Sequence, residues 1–533
     1  MRFLFKVLIF LFPSIFFGCT NFLVTPGASI DGSAFISYSA DSHELYGELQ
    51  LIPAGDFPEG SFYEVIEVDT KKYLGRIAQA KHTFSVIGLM NEHQVSIGET
   101  TFGGRKECQE TEGILDYGNL MIIALQRAKT AREAIEIMGK LLDEYGYASE
   151  GETFSIADPK EVWIMDLIGK GKGEKGAVWV ARKVPDGYVT AHANQARIRQ
   201  FPLNDPKNCL YAKDVISFAR EKGWFDGKDE EFSFVDTYAP PDFEALRFCE
   251  ARVWSFFRRV APSQNMDEYL DYVRGNKNAK PLPLWIKPDK KISLEDMFSY
   301  MRDHFEGTEF DLTKDIGAGP FHLPYRWRPL TWKIDDKEYF NERATSTQQT
   351  GYSFISQMRA WLPNPIGGVF WYGVDDSNST VYIPFYAGTK EVHPAFKVGT
   401  CDFSKFCWDS AFWVFNFVSN WAYSRYEDMI KDIKIVQQSF EGKFLANQGS
   451  IEEAAIKLYK DSPELAKDYL TNYSFKNCEE VFVRWKNLGE FLIWKYLDGN
   501  VRDTQGKVTH PPYPQDWYRR IIKETRDKYL IKE

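Results

Sequence analysis

Metal-binding and cofactor-binding patterns are largely missing from this sequence. Its 533 residues include only eight histidines and seven cysteines, and the histidines are scattered. The sequence has no HExxH motif, no paired Cys/His spacing of a zinc site, no GxSxG turn and no Walker sequence. We therefore expect neither a metal ion nor an organic cofactor.

Long basic runs and long apolar runs are missing as well. Lys and Arg number 65 against 75 Asp and Glu, a formal net charge of −10, whereas binding of nucleic-acid phosphates needs clustered cations. Past the N-terminus, the nearest candidate for a membrane span is residues 411–418, far shorter than the ~20 residues that cross a bilayer. We expect no nucleic-acid partner and no membrane-spanning helix.

The remaining composition is that of a globular protein, with 44% apolar and 26% charged residues. Aromatic residues reach 16%, which favours a large aromatic core or a stacking surface. Residues 171–176 match the pattern GxGxxG. A dinucleotide site needs a helix after this pattern, but strand-like residues 177–180 follow, so we interpret it as a glycine-rich hairpin loop.

The first 18 residues have the pattern of a secretory signal peptide. Arg2 and Lys6 give a basic start, residues 7–17 form a short apolar run, and Gly18 ends it. The run is too short to span a membrane. Its removal would leave an exported protein, periplasmic, secreted or at the cell surface, that begins at Cys19.

Cys19 has three interpretations on these residues. It is the lipidation site of a lipoprotein, although Phe16 and Phe17 match the usual lipobox only in part. Alternatively it is a nucleophile whose thiol stays free and whose new α-amine acts as base. The third interpretation is an ordinary structural cysteine. An exported chain can form disulfides, and Cys401 and Cys407 are the one close pair, but free buried cysteines fit a chain of this length equally well.

The order of apolar patterns predicts a layered α+β protein. Strands are expected at residues 22–24 and 34–38, at 83–89 and 94–101, and again between 153 and 191, with helices at 116–129 and 130–145. Thr130 and Glu133 form a capping box at the start of the second helix. An antiparallel first hairpin would place Cys19 near Asp41. From about residue 410 the sequence is mostly helical.

Several short motifs resemble those of the C69 family of cysteine dipeptidases. These motifs are Cys19-Thr20, the turn at 28–33, Ala40-Asp41-Ser42, and residues 90–92, 97–98, 155–158, 191–194, 362–369 and 382–384. The resemblance covers most of residues 19–430. It implies an N-terminal-nucleophile hydrolase with a four-layer αββα fold. We expect a signal peptide at 1–18, a hydrolase domain at 19–405, and a mostly helical region at 406–533 packed on the same body.

The resemblance also implies a reaction, namely hydrolysis of dipeptides or short peptides through a thioester on Cys19. A thiol has a pKa near ~8.5 and reacts as the thiolate. The α-amine released with the leader has a pKa near ~7.7 and can accept the thiol proton. The alternative from a different class is a surface protein, lipid-anchored at Cys19, that binds peptide or glycan. Both hypotheses are compatible with a homo-oligomer.

Four more residues are expected in the site by their match to the family and its distant relatives, the penicillin V acylases and bile-salt hydrolases. Asp41 would hold the α-amine, Asn194 would support the oxyanion, and Arg252 would lie near the site. Thr101 lies where the relatives carry an oxyanion-hole Asn. The plainer alternatives are a strand-end Asp, a turn Asn and a helix-surface Arg. Tyr38 stands where the relatives carry an Arg, which favours short peptides as substrates.

Overall fold

The computed structural model describes residues 18–42, 45–109 and 111–532. The predicted signal peptide lies outside the described residues, apart from Gly18. Strands and helices are numbered below in chain order.

In the described residues, the first antiparallel sheet has seven strands in the order β16-β14-β1-β2-β19-β20-β21. These strands are β1 (Asn21–Val24), β2 (Ala34–Asp41), β14 (Val189–His192), β16 (Trp285–Ile286), β19 (Thr350–Met358), β20 (Val369–Val374) and β21 (Ile383–Tyr386). Strands β1 and β2 are neighbours in the middle of this sheet, because β14 flanks β1 and β19 flanks β2.

The second sheet has eight strands within the described ranges, in the order β15-β13-β12-β11-β10-β9-β8-β3. They are β3 (Leu51–Ile52), β8 (Val86–Ile87), β9 (Met90–Asn91), β10 (Ser96–Phe102), β11 (Gly151–Ala157), β12 (Val162–Gly169), β13 (Ala177–Lys183) and β15 (Cys209–Tyr211). Strand β10 pairs with β11 along its full length but with β9 only at Ser96. Among the described residues, the second half of β10 therefore has no strand partner on the β9 side.

The two sheets face each other, with β1 and β2 in contact with β10 and β11. Polar side chains bridge them where the strands cross. The Asn21 amide donates to the Glu99 carbonyl at 2.6 Å, and the Ser96 and Ser356 hydroxyls are 2.7 Å apart. Such buried polar groups are stable only when each is paired, so these bonds fix the register of one sheet on the other.

Helices contact strands of both sheets. Helices α1 and α2 pack against strands of the second sheet, whereas α5, α9, α10 and α11 contact strands of the first. The helices are α1 (Tyr117–Leu125), α2 (Ala131–Tyr145), α3 (Ser217–Glu221), α4 (Phe234–Tyr238), α5 (Ala251–Val260), α6 (Leu270–Val273), α7 (Leu294–Tyr300), α8 (Asn364–Gly367), α9 (Ala411–Tyr423), α10 (Tyr426–Asp461), α11 (Pro463–Tyr496) and α12 (Gln515–Thr525). The predicted α+β class is confirmed.

Small two-stranded sheets complete the secondary structure. They pair β4 (Gly55–Asp56) with β7 (His82–Thr83), β5 (Phe62–Ile66) with β6 (Tyr73–Ala78), β17 (Thr331–Ile334) with β18 (Lys337–Phe340), and β22 (Val501–Arg502) with β23 (Val508–Thr509). Cys401 and Cys407 are joined in a disulfide. In the part of the chain described, no helix is both long and apolar enough to cross a membrane.

The start of α2 follows the sequence prediction closely. The Thr130 side chain accepts the Glu133 backbone N–H at 3.2 Å, and the Glu133 carboxylate accepts the Lys129 N–H at 2.7 Å. The glutamate thus reaches one residue further back than in a standard capping box.

We expect Thr130→Ala to destabilise the protein by ~1 kcal/mol, because it removes the acceptor for an otherwise unpaired helix N–H. Thermal melting measures the loss, and Thr130→Ser, which keeps the hydroxyl, is the control. Equal losses in the two variants would show that the cap is not the cause.

Candidate active site

The β1–β2 hairpin brings Cys19 and Asp41 together. The Gly18 N–H donates to the Asp41 carbonyl at 2.7 Å, and Thr20 bridges to Ser39 two residues further along. Cys19 is 2% exposed and lies two residues before the start of β1, while Asp41 is the last residue of β2. The neighbourhood expected from an antiparallel hairpin is therefore present in the structure.

The Cys19 thiol lies among acidic groups. Its Sγ is 3.7 Å from the Tyr38 hydroxyl and 4.0 Å from Glu99 Oε1, and Tyr38 donates to that same oxygen at 2.5 Å. Burial raises the pKa of the Cys19 thiol well above its usual range, and the charges of Glu99 and Asp41 raise it further. With Gly18 still attached, the thiol is held in its protonated, weakly nucleophilic form.

The Asp41 carboxylate is fully buried and has three donors. Arg343 Nη2 lies 2.7 Å from Oδ2 in an ion pair, the Thr350 hydroxyl donates to Oδ1 at 2.7 Å, and the Ser39 hydroxyl donates to Oδ2 at 3.0 Å. Burial raises the pKa of Asp41, and Arg343 opposes this. Burial and the nearby Arg252 lower the pKa of Arg343 to about 9. Arg343 was not predicted from the sequence, because it is 302 residues from Asp41 and carries no local motif.

Arg252 is a buried residue of α5, which differs from the helix-surface alternative. One nitrogen, Nη1, donates to the Cys19 carbonyl at 2.6 Å and to the Thr20 hydroxyl at 2.7 Å. The other, Nη2, donates to Asn194 Oδ1 at 3.0 Å. A single rigid guanidinium therefore links the start of β1 to the segment after β14.

Asn194 has a backbone φ of 59°, the left-handed region that asparagine tolerates better than most residues. Arg252 donates to its side-chain oxygen, which fixes the amide so that Nδ2 points the other way. Nδ2 donates to the Thr101 carbonyl at 2.8 Å. An amide nitrogen has two N–H bonds, so one donor is left for a further acceptor.

Thr101 is brought to the site mainly by its backbone. Its carbonyl accepts from Asn194, while its hydroxyl donates to Glu152 Oε1 at 2.9 Å. The hydroxyl hydrogen is thus committed to Glu152. The structure places Thr101 beside Asn194 but does not direct its hydroxyl at Cys19.

A cavity of about 570 Å³ opens beside these residues. Gly18, Asn194, Arg252 and Arg343 form part of its wall, and Arg328 is another member. Arg328 donates to Gln349 Oε1 at 2.6 Å, and burial lowers its pKa to about 10. The cavity wall next to Gly18 is therefore rich in guanidinium groups, whereas the thiol faces carboxylates.

Glu99 and Glu152 form a carboxyl pair that sequence reasoning missed. The two lie on neighbouring strands β10 and β11 and are buried. Burial raises the pKa of Glu99 to about 7, and burial together with the charge of Glu99 raises the pKa of Glu152 well above its usual range. The available signal was a glutamate in the middle of a predicted strand, directly after the motif at residues 97–98.

Comparison with known proteins agrees with this arrangement. The model of peptidase family C69 matches residues 18–439. A "Probable dipeptidase" of Salmonella dublin is 25% identical over 394 residues, covering 70% of this chain and 82% of that protein. A "Probable dipeptidase B" of Streptococcus pyogenes serotype M1 is 21% identical over 500 residues, covering 91% of this chain and 94% of that protein.

The match spans both sheets, helix α9 and the first part of α10, and so defines the chain as a peptide hydrolase. The chain belongs to peptidase family C69. The resemblance drawn from short motifs is confirmed.

The raised pKa of Glu99 predicts a stability effect that depends on pH. A carboxyl with a pKa of about 7 in the folded protein and ~4.3 when unfolded favours folding below the lower value. That contribution is lost as the pH rises through 7. Glu99→Gln cannot ionise, so its melting temperature relative to the parent protein should be higher at pH 8 than at pH 5. Glu136→Gln, an exposed change on α2, is the control. The same difference at both pH values would contradict the prediction.

Proposed function

We propose that this protein is an exported dipeptidase that hydrolyses dipeptides and short peptides through Cys19 and a thioester intermediate. The main support is that Asp41, Asn194 and Arg252 converge on Cys19 in a chain whose family is C69 and whose relatives are named dipeptidases. The two facing sheets with outer helices support the four-layer αββα fold of N-terminal-nucleophile hydrolases. The leader pattern at 1–18 supports export.

In this proposal, cleavage of the Gly18–Cys19 bond prepares the nucleophile. An amide nitrogen cannot accept a proton at neutral pH, whereas the free α-amine of Cys19 can. The thiol proton passes to this amine, and the thiolate attacks the substrate carbonyl carbon. The free N–H of the Asn194 amide stabilises the resulting oxyanion.

Collapse of the tetrahedral intermediate breaks the peptide C–N bond. The leaving amine takes the proton held by the Cys19 α-ammonium, and the acyl group stays on sulfur as a thioester. Water then adds to the thioester carbonyl and gives its proton to the α-amine. The S–C bond breaks, the thiolate takes the proton back from the α-ammonium, and the product leaves as a carboxylic acid that releases its proton to solvent. Arg252 holds Cys19 and Asn194 in a fixed relative position throughout the reaction, because it donates to both residues.

The lipid-anchored alternative is less favoured by the packing. Lipidation would attach a diacylglyceryl group to a sulfur atom that is enclosed by Tyr38, Glu99 and the β1–β2 hairpin.

We expect a chain that keeps an uncleavable Gly18 before Cys19 to fold normally and to hydrolyse no dipeptide. The processed chain, beginning at Cys19, should be active. Mass spectrometry defines both termini, and hydrolysis of a dipeptide panel measures activity. The processed Cys19→Ala variant is the background control. Full activity of the extended chain would disprove the α-amine mechanism.

The supporting residues should lower turnover without abolishing folding. Asn194→Ala should reduce kcat by ~10²–10³, the usual effect of removing one oxyanion donor. Asp41→Asn should reduce it by ~10²–10⁴, because the group beside the α-amine loses its charge and its ion pair with Arg343. Asn420→Ala, on the exposed face of α9, is the matched control. Near-normal kcat in both site variants would remove these residues from the proposed mechanism.

A further inference from the structure

Three arginine side chains line the cavity beside Gly18. They are Arg252, Arg328 and Arg343, of which Arg252 and Arg343 are only 1% and 4% exposed. The cavity volume of about 570 Å³ is within the ~300–1,000 Å³ of ordinary small-molecule sites. The space next to the candidate nucleophile is therefore large enough for a small peptide and has cations on its inner wall.

The positive charges of this wall are only partly balanced. Arg343 forms an ion pair with Asp41 at 2.7 Å. Arg252 and Arg328 have no ion pair within residues 18–42, 45–109 and 111–532. Burial, Arg252 and Arg328 all lower the pKa of Arg343, while Asp41 opposes them. An anionic ligand would relieve this repulsion, so the inner wall favours negative charge.

The outer part of the cavity wall is different, because it carries both signs of charge. Lys106 and Asp242 are exposed, and Glu244 is half-buried. Water and salt screen exposed charges, whereas buried guanidinium groups act in a medium of lower polarity. The attraction for an anion is therefore strongest at the inner wall.

The chain itself shows that an oxygen atom fits between two of the guanidinium groups. The Gly18 carbonyl oxygen accepts from Arg252 Nη1 at 3.2 Å and also from Arg343 Nη2. In the proposed reaction this carbonyl leaves with the leader, so both donors lose that acceptor. A carboxylate oxygen of a substrate could take the same position, and it is a stronger acceptor because it is charged.

Arg328 adds donors that the fold uses only in part. Its Nε and Nη2 both donate to a single neutral oxygen, Oε1 of Gln349. Gln349 in turn donates from Nε2 to the Asp41 carbonyl at 3.2 Å, which fixes the amide. A guanidinium has five N–H donors, and Nη1 of Arg328 has no partner in the described part of the chain. Arg328 can therefore bind a carboxylate without leaving Gln349.

We propose that this cavity selects dipeptides whose C-terminal residue is Asp or Glu, and that Arg328 binds the acidic side chain. This inference rests on the proposed dipeptidase function and names the side-chain preference of the same site.

The number of charges favours an acidic residue at the C-terminal position. Any dipeptide brings one α-carboxylate, whereas two cations of the inner wall lack a carboxylate partner in the described residues. A C-terminal Asp or Glu carries two carboxylates on one residue, so both enter the same cavity. With an acidic N-terminal residue, the second carboxylate belongs to the acyl group that Cys19 holds, across the cleaved bond.

The test uses Ala-Glu and Ala-Gln, which have the same shape and differ by one charge. Glu-Ala and Gln-Ala form the matching pair for the N-terminal position. The processed protein, Arg328→Gln, Arg328→Lys and the control Arg484→Gln, an exposed change on α11, are assayed for kcat/KM. Melting temperatures check folding. Calorimetry measures Kd on processed Cys19→Ala, with and without Arg328→Gln, because this protein does not consume the peptides.

We expect kcat/KM to favour Ala-Glu over Ala-Gln by at least ~10-fold, the usual effect of a hydrogen bond between charged groups. Kd should show the same preference, since the contact forms in the bound ground state. Arg328→Gln should abolish the preference and Arg484→Gln should keep it. Arg328→Lys, which retains the charge but not the fork of donors, should keep part of it. Glu-Ala should gain nothing over Gln-Ala.

Three results would overturn the inference. Equal kcat/KM and Kd for Ala-Glu and Ala-Gln would refute the acidic preference and leave the dipeptidase proposal intact. A preference that survives in Arg328→Gln would assign the acidic side chain to other residues. A preference for Glu-Ala over Gln-Ala would move the anion site to the acyl side of the cleaved bond. Failure of the dipeptidase proposal is seen separately, as hydrolysis of no dipeptide in a wider panel.

Discussion

The buried guanidinium of Arg252 is the contact on which the candidate site depends. It binds the carbonyl of Cys19, the hydroxyl of Thr20 and the side-chain oxygen of Asn194, and its Nε donates to the Phe248 carbonyl at 2.7 Å. These groups come from β1, from the segment after β14, and from the helical turn that leads into α5. A planar, always-charged fork suits this role, since a lysine could not hold several acceptors in fixed directions. The site is therefore built around a cation whose own charge is offset by backbone dipoles.

Charge is divided unevenly across the site. The side facing the cavity contains Arg252, Arg328 and Arg343, balanced in part by Asp41. The side facing the thiol contains Glu99 and Glu152 without a cation in the described residues. The site is therefore cationic where it faces the cavity, whereas burial raises the pKa of both glutamates on the side of the thiol.

Local sequence patterns predicted the elements that are determined by neighbouring residues, namely a helix and the first hairpin. The 3.6-residue period and the Thr130 cap located α2, and alternating strands with a turn brought Cys19 to Asp41. Motif resemblance added Asn194 and Arg252. Arg343 and Glu152 were not predicted, because their roles arise from pairing across hundreds of residues and from a diagonal contact between β10 and β11. A single sequence carries no signal for such contacts. A glutamate inside an apolar strand, as at Glu99, is by contrast a signal that the sequence does carry.

In the proposed mechanism, the chain with Gly18 attached is unreactive for two separate physical reasons. The nitrogen of Cys19 is an amide, and the Gly18 carbonyl accepts hydrogen bonds from Arg252 at 3.2 Å and from Arg343. The thiol meanwhile lies in a negative, desolvated environment that disfavours its ionisation. Loss of Gly18 changes the first condition directly, since it creates a base and removes one acceptor from each of Arg252 and Arg343. It does not change the second, because Glu99 stays beside the sulfur. In the proposed reaction, the positive charge that favours the thiolate is therefore that of the Cys19 α-ammonium, which forms when the amine takes the thiol proton.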